Sequence, residues 1–329
     1  MTKRALITGA SGQDAAWLSQ LLLSKGYKVF LTDRHVSTAE NRYWRLVELG
    51  ILDRVEIIHA SLEHYETLID ALHVSRPDEI YHLAAQSFVT ASFESEFETL
   101  DVNLGGTHRL LRAYLHYFPR ARFYFAATSE MFGMVEETPQ TELTKFHPRS
   151  PYGVSKVAAF EMVRHYRERY GLFCLSGVLM NHESALRGEQ FVTRKISKGA
   201  VAAAHGGPKI HLGNLQAKRD WGHARDFTEG MWLMLQQDKP DDFLLATGHT
   251  HSIEEFLAEA FAVVSELAGS HFPWPDYVEI DPAFFRPTEV DLLLGDATKA
   301  RTQLLWQPKT SFKQLVREMV EADWKRANR

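Results

Sequence analysis

Between residues 4 and 33 the chain runs from a short apolar stretch through a glycine turn into an amphipathic stretch, then back into an apolar one. Arg4–Thr8 (RALIT) reads as a buried strand, Ala16–Lys25 carries apolar residues at helical spacing, and Gly26 stops that helix. Lys28–Thr32 (KVFLT) is the second strand. Two strands joined through a helix cannot close as a hairpin, so they are expected to lie parallel. The alternation continues with strands at Arg54–His59, Glu79–Leu83, Arg122–Ala127 and Phe173–Leu179. Helices are expected between them at Tyr65–Leu72, Leu104–Tyr117 and Lys156–Tyr170. This order predicts an α/β fold with a doubly wound, Rossmann-like parallel sheet.

After Met180 the pattern loosens. Loop-forming polar stretches are expected from Asn181 to Arg219, then a helix at Phe227–Gln237 and a strand near Phe243–Ala246. Two amphipathic helices follow, Ile253–Leu267 and Phe312–Lys325. The expected division is a dinucleotide-binding domain over 1–180 plus about 220–250, and a smaller discontinuous lobe over 181–219 and 251–329.

Composition narrows the partners. With 329 residues and 45% hydrophobic content, the chain can bury a large core. A net charge of −5 and a pI near 6.3 argue against nucleic acid or a membrane surface as partner. The single cysteine, Cys174, permits no internal disulfide and sits in an apolar strand. The amino terminus enters a strand directly, and no apolar run reaches ~18 residues, so a cytoplasmic protein is expected. The sixteen histidines are scattered without ligand spacing, and no metal site is expected.

The first strand ends in Gly9-Ala10-Ser11-Gly12-Gln13-Asp14-Ala15, a G-x-x-G-x-x-A pattern. Glycines there let the backbone approach a pyrophosphate, and the following helix offers free N–H groups and a positive dipole end. The same residues are also compatible with a bare tight turn. At the end of the second strand, Asp33 suits both ribose hydroxyls and so favours NAD, whereas Arg34 suits a 2′-phosphate and favours NADP. Arg34 and Arg42 are equally compatible with a solvated loop.

The chemistry falls on Thr128-Ser129-Glu130 and on Tyr152-Gly153-Val154-Ser155-Lys156. A tyrosine and a lysine four apart share one helix face. A tyrosine of pKa ~10 is a poor base at neutral pH, but a nearby ammonium stabilises its phenolate. It can then take a proton from a sugar hydroxyl as hydride leaves the same carbon. Thr128 stands at the carboxyl edge of the sheet, within reach of the same hydroxyl. Glu130 is one group more than a simple dehydrogenase needs. Oxidation to a ketone acidifies the neighbouring C–H, and a carboxylate there permits loss of a β-hydroxyl as water.

The stretches ITGASGQDAAWL, PDEIYHLAAQSFV, ATSEMFG, PRSPYGVSK, NHESALRGEQFVTRKI, LGNLQAKRDWGHARDF, LQQDKPDDF, ATGHTHS and FFRPTEVDLLLGDATKA resemble the extended short-chain dehydrogenase/reductase superfamily. Within it they are most similar to the GDP-mannose 4,6-dehydratase family. The resemblance implies a catalytic set of Thr128, Glu130, Tyr152 and Lys156. It implies cofactor contacts from Gly9, Ser11, Gly12, Gln13, Asp14, Asp33, Arg34, Leu62, Leu83, Ala84, Ala85, Gln86, Tyr152, Lys156, His182 and Arg187. Substrate contacts would come from Ser87, Glu130, Asn181, Val192, Lys195 and Arg219, with Arg286 and Glu289. Arg219 and Arg286 would clamp a diphosphate, which an acidic protein must do with local arginines.

The resemblance further implies NADP as cofactor, a GDP-sugar as substrate, and a homodimer or homotetramer. Three departures all fall on the adenosine half. Ala15 replaces a glycine. Asp33 replaces an arginine, leaving Arg34 and Ser37 as the corresponding residues. His59-Ala60-Ser61-Leu62-Glu63 replaces a Gly-Asp-Leu segment. These departures keep NAD open. Two other activities remain open from sequence: a dehydratase or epimerase for a modified GDP-hexose or heptose, and a non-catalytic nucleotide sensor.

Overall fold

A computed structural model describes residues 2–35, 42–284 and 292–328. The first 180 residues give β1 (Arg4–Thr8), α1 (Gln13–Ser24), β2 (Lys28–Asp33), α2 (Trp44–Glu48), β3 (Glu56–His59), α3 (Tyr65–Ser75) and β4 (Glu79–His82). Then come α4 (Val89–Glu94), α5 (Glu96–Leu100), α6 (Gly106–Tyr117), β5 (Arg122–Thr128), α7 (Pro151–Tyr170) and β6 (Cys174–Leu179). The rest holds β7 (Asn181–Glu183), α8 (Val192–Ala204), β8 (Ile210–Leu212), β9 (Lys218–Arg219), β10 (Trp221–His223), α9 (Ala224–Met234) and β11 (Phe243–Leu245). It closes with β12 (His251–Ser252), α10 (Ile253–Ala268), β13 (Val278–Ile280), β14 (Leu292–Leu293), α11 (Thr298–Gln303) and α12 (Phe312–Ala327).

Seven strands form one parallel sheet in the order β11-β6-β5-β4-β1-β2-β3. Helices cover both sides, so β4 and β6 are buried at every residue, whereas the edge strand β3 keeps Glu56 and His59 exposed. The strand order reverses between β1 and β4, so the crevice at that switch point is where a doubly wound sheet receives its ligand.

A second hydrophobic cluster joins α8, α10 and α12 through Ile196, Phe256, Phe261, Val316 and Met319. Capping boxes at Ser252/Glu255 and Ser311/Gln314 start α10 and α12. Helix α8 falls where loops were expected. Arg194 and Ser197 lie on its buried face, and polar residues there hide the apolar period. Asp323 of α12 compensates both, at 2.5 Å from Arg194 Nη1 and 2.7 Å from Ser197 Oγ. The segment with Leu293, Ala297, Ala300, Leu304 and Trp306 packs into the sheet's core rather than the small lobe. Trp306 Nε1 donates to Asp226 O at 2.8 Å, a long-range bond that local sequence does not announce.

Candidate active site

Gly9, Gly12, Asp33, Thr128 and Glu130 stand at or just past the carboxyl ends of β1, β2 and β5. After β1, Gly9 has φ +89°, and a Cβ there would lie 3.1 Å from Ala84 Cα. Only glycine lets the ends of β1 and β4 approach this closely. Thr8 Oγ1 fixes the same junction by accepting from the amides of Leu83 and Ala84. Gly12 is the extended N-cap of α1, and no side chain caps that helix. Its first-turn amides therefore suit a pyrophosphate, and the donor set fits a dinucleotide.

The side chain of Gln13 is engaged within the protein. Its Nε2 donates to His182 O at 2.8 Å, and its Oε1 accepts from Ser184 Oγ at 2.9 Å. Gln13 thus ties the glycine turn to β7 and the segment after it. Asp14 Oδ2 lies 2.9 Å from His182 Nε2, while His182 Nδ1 lies 2.8 Å from Met180 O. Burial disfavours both charges. The mutual ion pair and hydrogen bond outweigh it, so Asp14 titrates below its usual range and His182 above.

At the adenosine end, Asp33 is buried and closes β2. Arg42 donates to both of its oxygens, from Nε at 2.8 Å and Nη2 at 2.5 Å. Arg42 is therefore not a solvated loop residue but the partner of this carboxylate. Arg34 is exposed. Leu62 is buried and packs on Gly106. Ser37, Arg286 and Glu289 lie outside the described residues.

Thr128 ends β5, and its Oγ1 accepts from the Glu130 amide at 3.3 Å. Ser150 Oγ caps α7 by accepting from Gly153 N at 3.0 Å, with Pro151 in the first helical turn. The helix thus begins five residues before the expected Lys156, and Tyr152 belongs to its first turn. A Cβ on Gly153 would lie 2.8 Å from Glu130 O, so glycine there lets this turn pack directly on the Glu130 backbone.

Tyr152 is buried, which pushes its phenol up to about 12, although a hydrogen bond with Thr128 favours the phenolate. Burial pushes Lys156 down to about 7, and its Nζ sits 4.3 Å from the Phe125 ring centre. Asn103 was not anticipated. It lies in a π-turn, Asp101–Gly105, ahead of α6. Its Nδ2 donates to Gln86 O and Ser155 Oγ, both at 3.0 Å, and Ser155 Oγ donates to Tyr152 O at 2.7 Å. No local signal marks it, because the approach already carries Glu96, Glu98 and Asp101.

A cavity of 520 Å³ opens beside these residues. Glu130, Asn181, Val192, Lys195 and Arg219 all line it, as do Arg187 and Trp221. Asn181 Oδ1 is buried without a hydrogen-bond partner, so it presents an acceptor to whatever enters. Arg187 Nε lies 3.0 Å from Glu183 Oε2. Ser87 is exposed on the β4–α4 loop and is not part of the wall.

The switch-point crevice, the Tyr152/Lys156 helix and the adjoining helical lobe define an extended short-chain dehydrogenase/reductase. A family model described as GDP-mannose 4,6 dehydratase matches residues 6–319. The chain is 47% identical to GDP-mannose 4,6 dehydratase 1 of Arabidopsis thaliana, covering 99% of this chain and 91% of that protein. It is 42% identical to the GDP-mannose 4,6-dehydratase of Vibrio cholerae, covering 100% and 96%. The dTDP-glucose 4,6-dehydratase DesIV of Streptomyces venezuelae, solved with NAD and TYD bound, superposes with a TM-score of 0.84 at 23% identity, covering 99% and 98%. The chain belongs to the GDP-mannose 4,6-dehydratase family. Its enzyme class is that of the nucleotide-sugar hydro-lyases.

Proposed function

We propose that the protein converts GDP-mannose to GDP-4-keto-6-deoxymannose and water, with no net consumption of reductant. The observation that carries this reading is the junction of two bases at one cavity. Glu130 lines the cavity, and its backbone packs against the helical turn that holds Tyr152. A dehydrogenase or 4-epimerase needs the tyrosine alone, whereas elimination needs the second carboxylate.

Tyr152, hydrogen-bonded to Thr128, accepts the 4-hydroxyl proton. Lys156, one helical turn on, favours the phenolate form of Tyr152 that accepts this proton. A nicotinamide held at the Gly9–Gly12 turn would supply a reversible hydride acceptor, so that the hydride from C4 could be returned at C6. Glu130 removes the C5 proton, acidic beside the new ketone, and its proton leaves with the 6-hydroxyl as water. Tyr152 then supplies the C5 proton. Asn181, Lys195 and Arg219 suit the nucleotide diphosphate, because arginine and lysine offset phosphate charge in a cavity of a net acidic chain.

NAD fits the adenosine end better than NADP. A 2′-phosphate would face the buried Asp33 carboxylate, whose Arg42 partner is already engaged by both oxygens. The test of the reaction is Glu130→Gln assayed on GDP-mannose. The variant should still bind GDP-mannose and lose dehydration by at least about a hundredfold, the lower range of acid/base contributions. Near-normal turnover would remove Glu130 from the mechanism. NADP copurifying with the wild type would overturn the cofactor assignment alone.

A further inference from the structure

Arg45 belongs to neither the glycine turn nor the cavity wall, yet it holds one to the other. Its Nη1 donates to Ser11 O at 2.7 Å, and its Nε donates to Leu186 O at 2.6 Å. Ser11 is the centre of the glycine turn. Leu186 immediately precedes Arg187, which lines the cavity. A guanidinium is a rigid fork, so one planar group fixes both carbonyls at once. The fork is itself seated over the Trp44 ring at 4.5 Å, and Arg326 stacks on the same ring at 5.3 Å.

The charge environment is unfavourable for a purely structural tie. Burial first, then repulsion from Arg194 and Arg187, pushes Arg45 down to about 10, with Asp14 opposing. The group stays charged at neutral pH in the company of other arginines. A neutral donor would tie the two carbonyls without that repulsion. A cation there is favoured once anionic phosphates arrive on either side of the clamp.

We propose that Arg45 is a positioning residue that couples the two nucleotide sites. Ordering the glycine turn around a dinucleotide orders Leu186-Arg187, and so preforms the cavity for a nucleoside diphosphate. The reciprocal effect has the same size by thermodynamic linkage. This rests on the site reading above for the location of both ligands, but not on turnover.

The test is a ligand cycle by calorimetry on wild type, Arg45→Lys and Arg45→Met. NADH and GDP are the probes, each titrated alone and with the other saturating. Wild type should bind GDP at least about fivefold tighter with NADH present, the lower end of ordinary coupling, and NADH tighter by the same factor with GDP. In Arg45→Met that factor should fall by at least half, the remainder passing through the Gln13 bonds to His182 and Ser184. Arg45→Lys, which keeps the charge and should keep the fold, should lose most of the coupling because an ammonium cannot span both carbonyls. A merely structural role would lower the melting temperature and leave the coupling factor of the folded protein unchanged. Absence of coupling in wild type, or equal coupling in wild type and both variants, overturns the proposal. If GDP and NADH bind but GDP-mannose is not turned over, the function reading fails and the clamp stands.

Discussion

Lys156→Met offers a quantitative test of the base assignment. The phenol of Tyr152 is pushed up to about 12, chiefly by burial, and Lys156 is pushed down to about 7 by the same cause. Neither is charged readily alone. The base assignment requires that an ammonium one helical turn from the phenol stabilise its phenolate. Bringing a phenol from about 12 to a working pH of about 8 takes four pK units, ~5 kcal/mol at ~1.4 kcal/mol each. If the ammonium supplies half, its loss removes ~2–3 kcal/mol, or roughly a hundredfold in kcat at pH 8. Because the remaining tyrosine must be deprotonated by pH instead, the acid limb of the kcat profile should move up by about two units. The assay is steady-state turnover of GDP-mannose between pH 6 and 10 with cofactor loading matched to wild type. An unchanged limb with kcat within about threefold of wild type would refute the pairing, since ~0.6 kcal/mol is all that difference allows.

Two further perturbations test the frame. Asp323→Ala leaves Arg194 buried without the carboxylate 2.5 Å away. It should destabilise the fold by ~3–5 kcal/mol in denaturant titration, and a loss under about 1 kcal/mol would show that the small lobe does not depend on this pair. The Asp14–His182 pair should give a pH-dependent stability increment. The raised His182 pKa contributes fully below 6.5 and fades as pH rises through its folded value; the lowered Asp14 pKa contributes fully above 3.8 and fades as pH falls through its own. The stability difference between wild type and His182→Gln should therefore be largest between those two values and shrink above neutrality. A difference that grows with pH would reverse the assignment.

The sheet was legible because its strands announce themselves locally. Each is a short apolar run bounded by turn residues, and the glycine turn says which one comes first. Tyr152, Lys156 and Glu130 stand out in the sequence because their spacing carries chemistry, and the fold packs the turn that holds Tyr152 on the Glu130 backbone. What sequence reasoning missed depends on partners far along the chain. Helix α8 hides its apolar period behind Arg194 and Ser197, whose compensation by Asp323 lies more than a hundred residues away. Arg42 looked like a loop cation until the fold turned it onto Asp33. The side-chain bonds of Gln13 to the segment at His182–Ser184 were likewise not legible. Residues 292–306 follow the lobe in sequence but pack with the sheet, because Trp306 and Leu293 complete its core.

The central claim is that the hydride removed from C4 is the one delivered to C6 of the same sugar. GDP-mannose carrying deuterium at C4, incubated in ordinary water without added reductant, tests it directly. The product should be a 4-keto-6-deoxy sugar with the deuterium at C6. Deuterium lost to solvent or free cofactor, or retained at C4 of an epimerised sugar, would contradict the account.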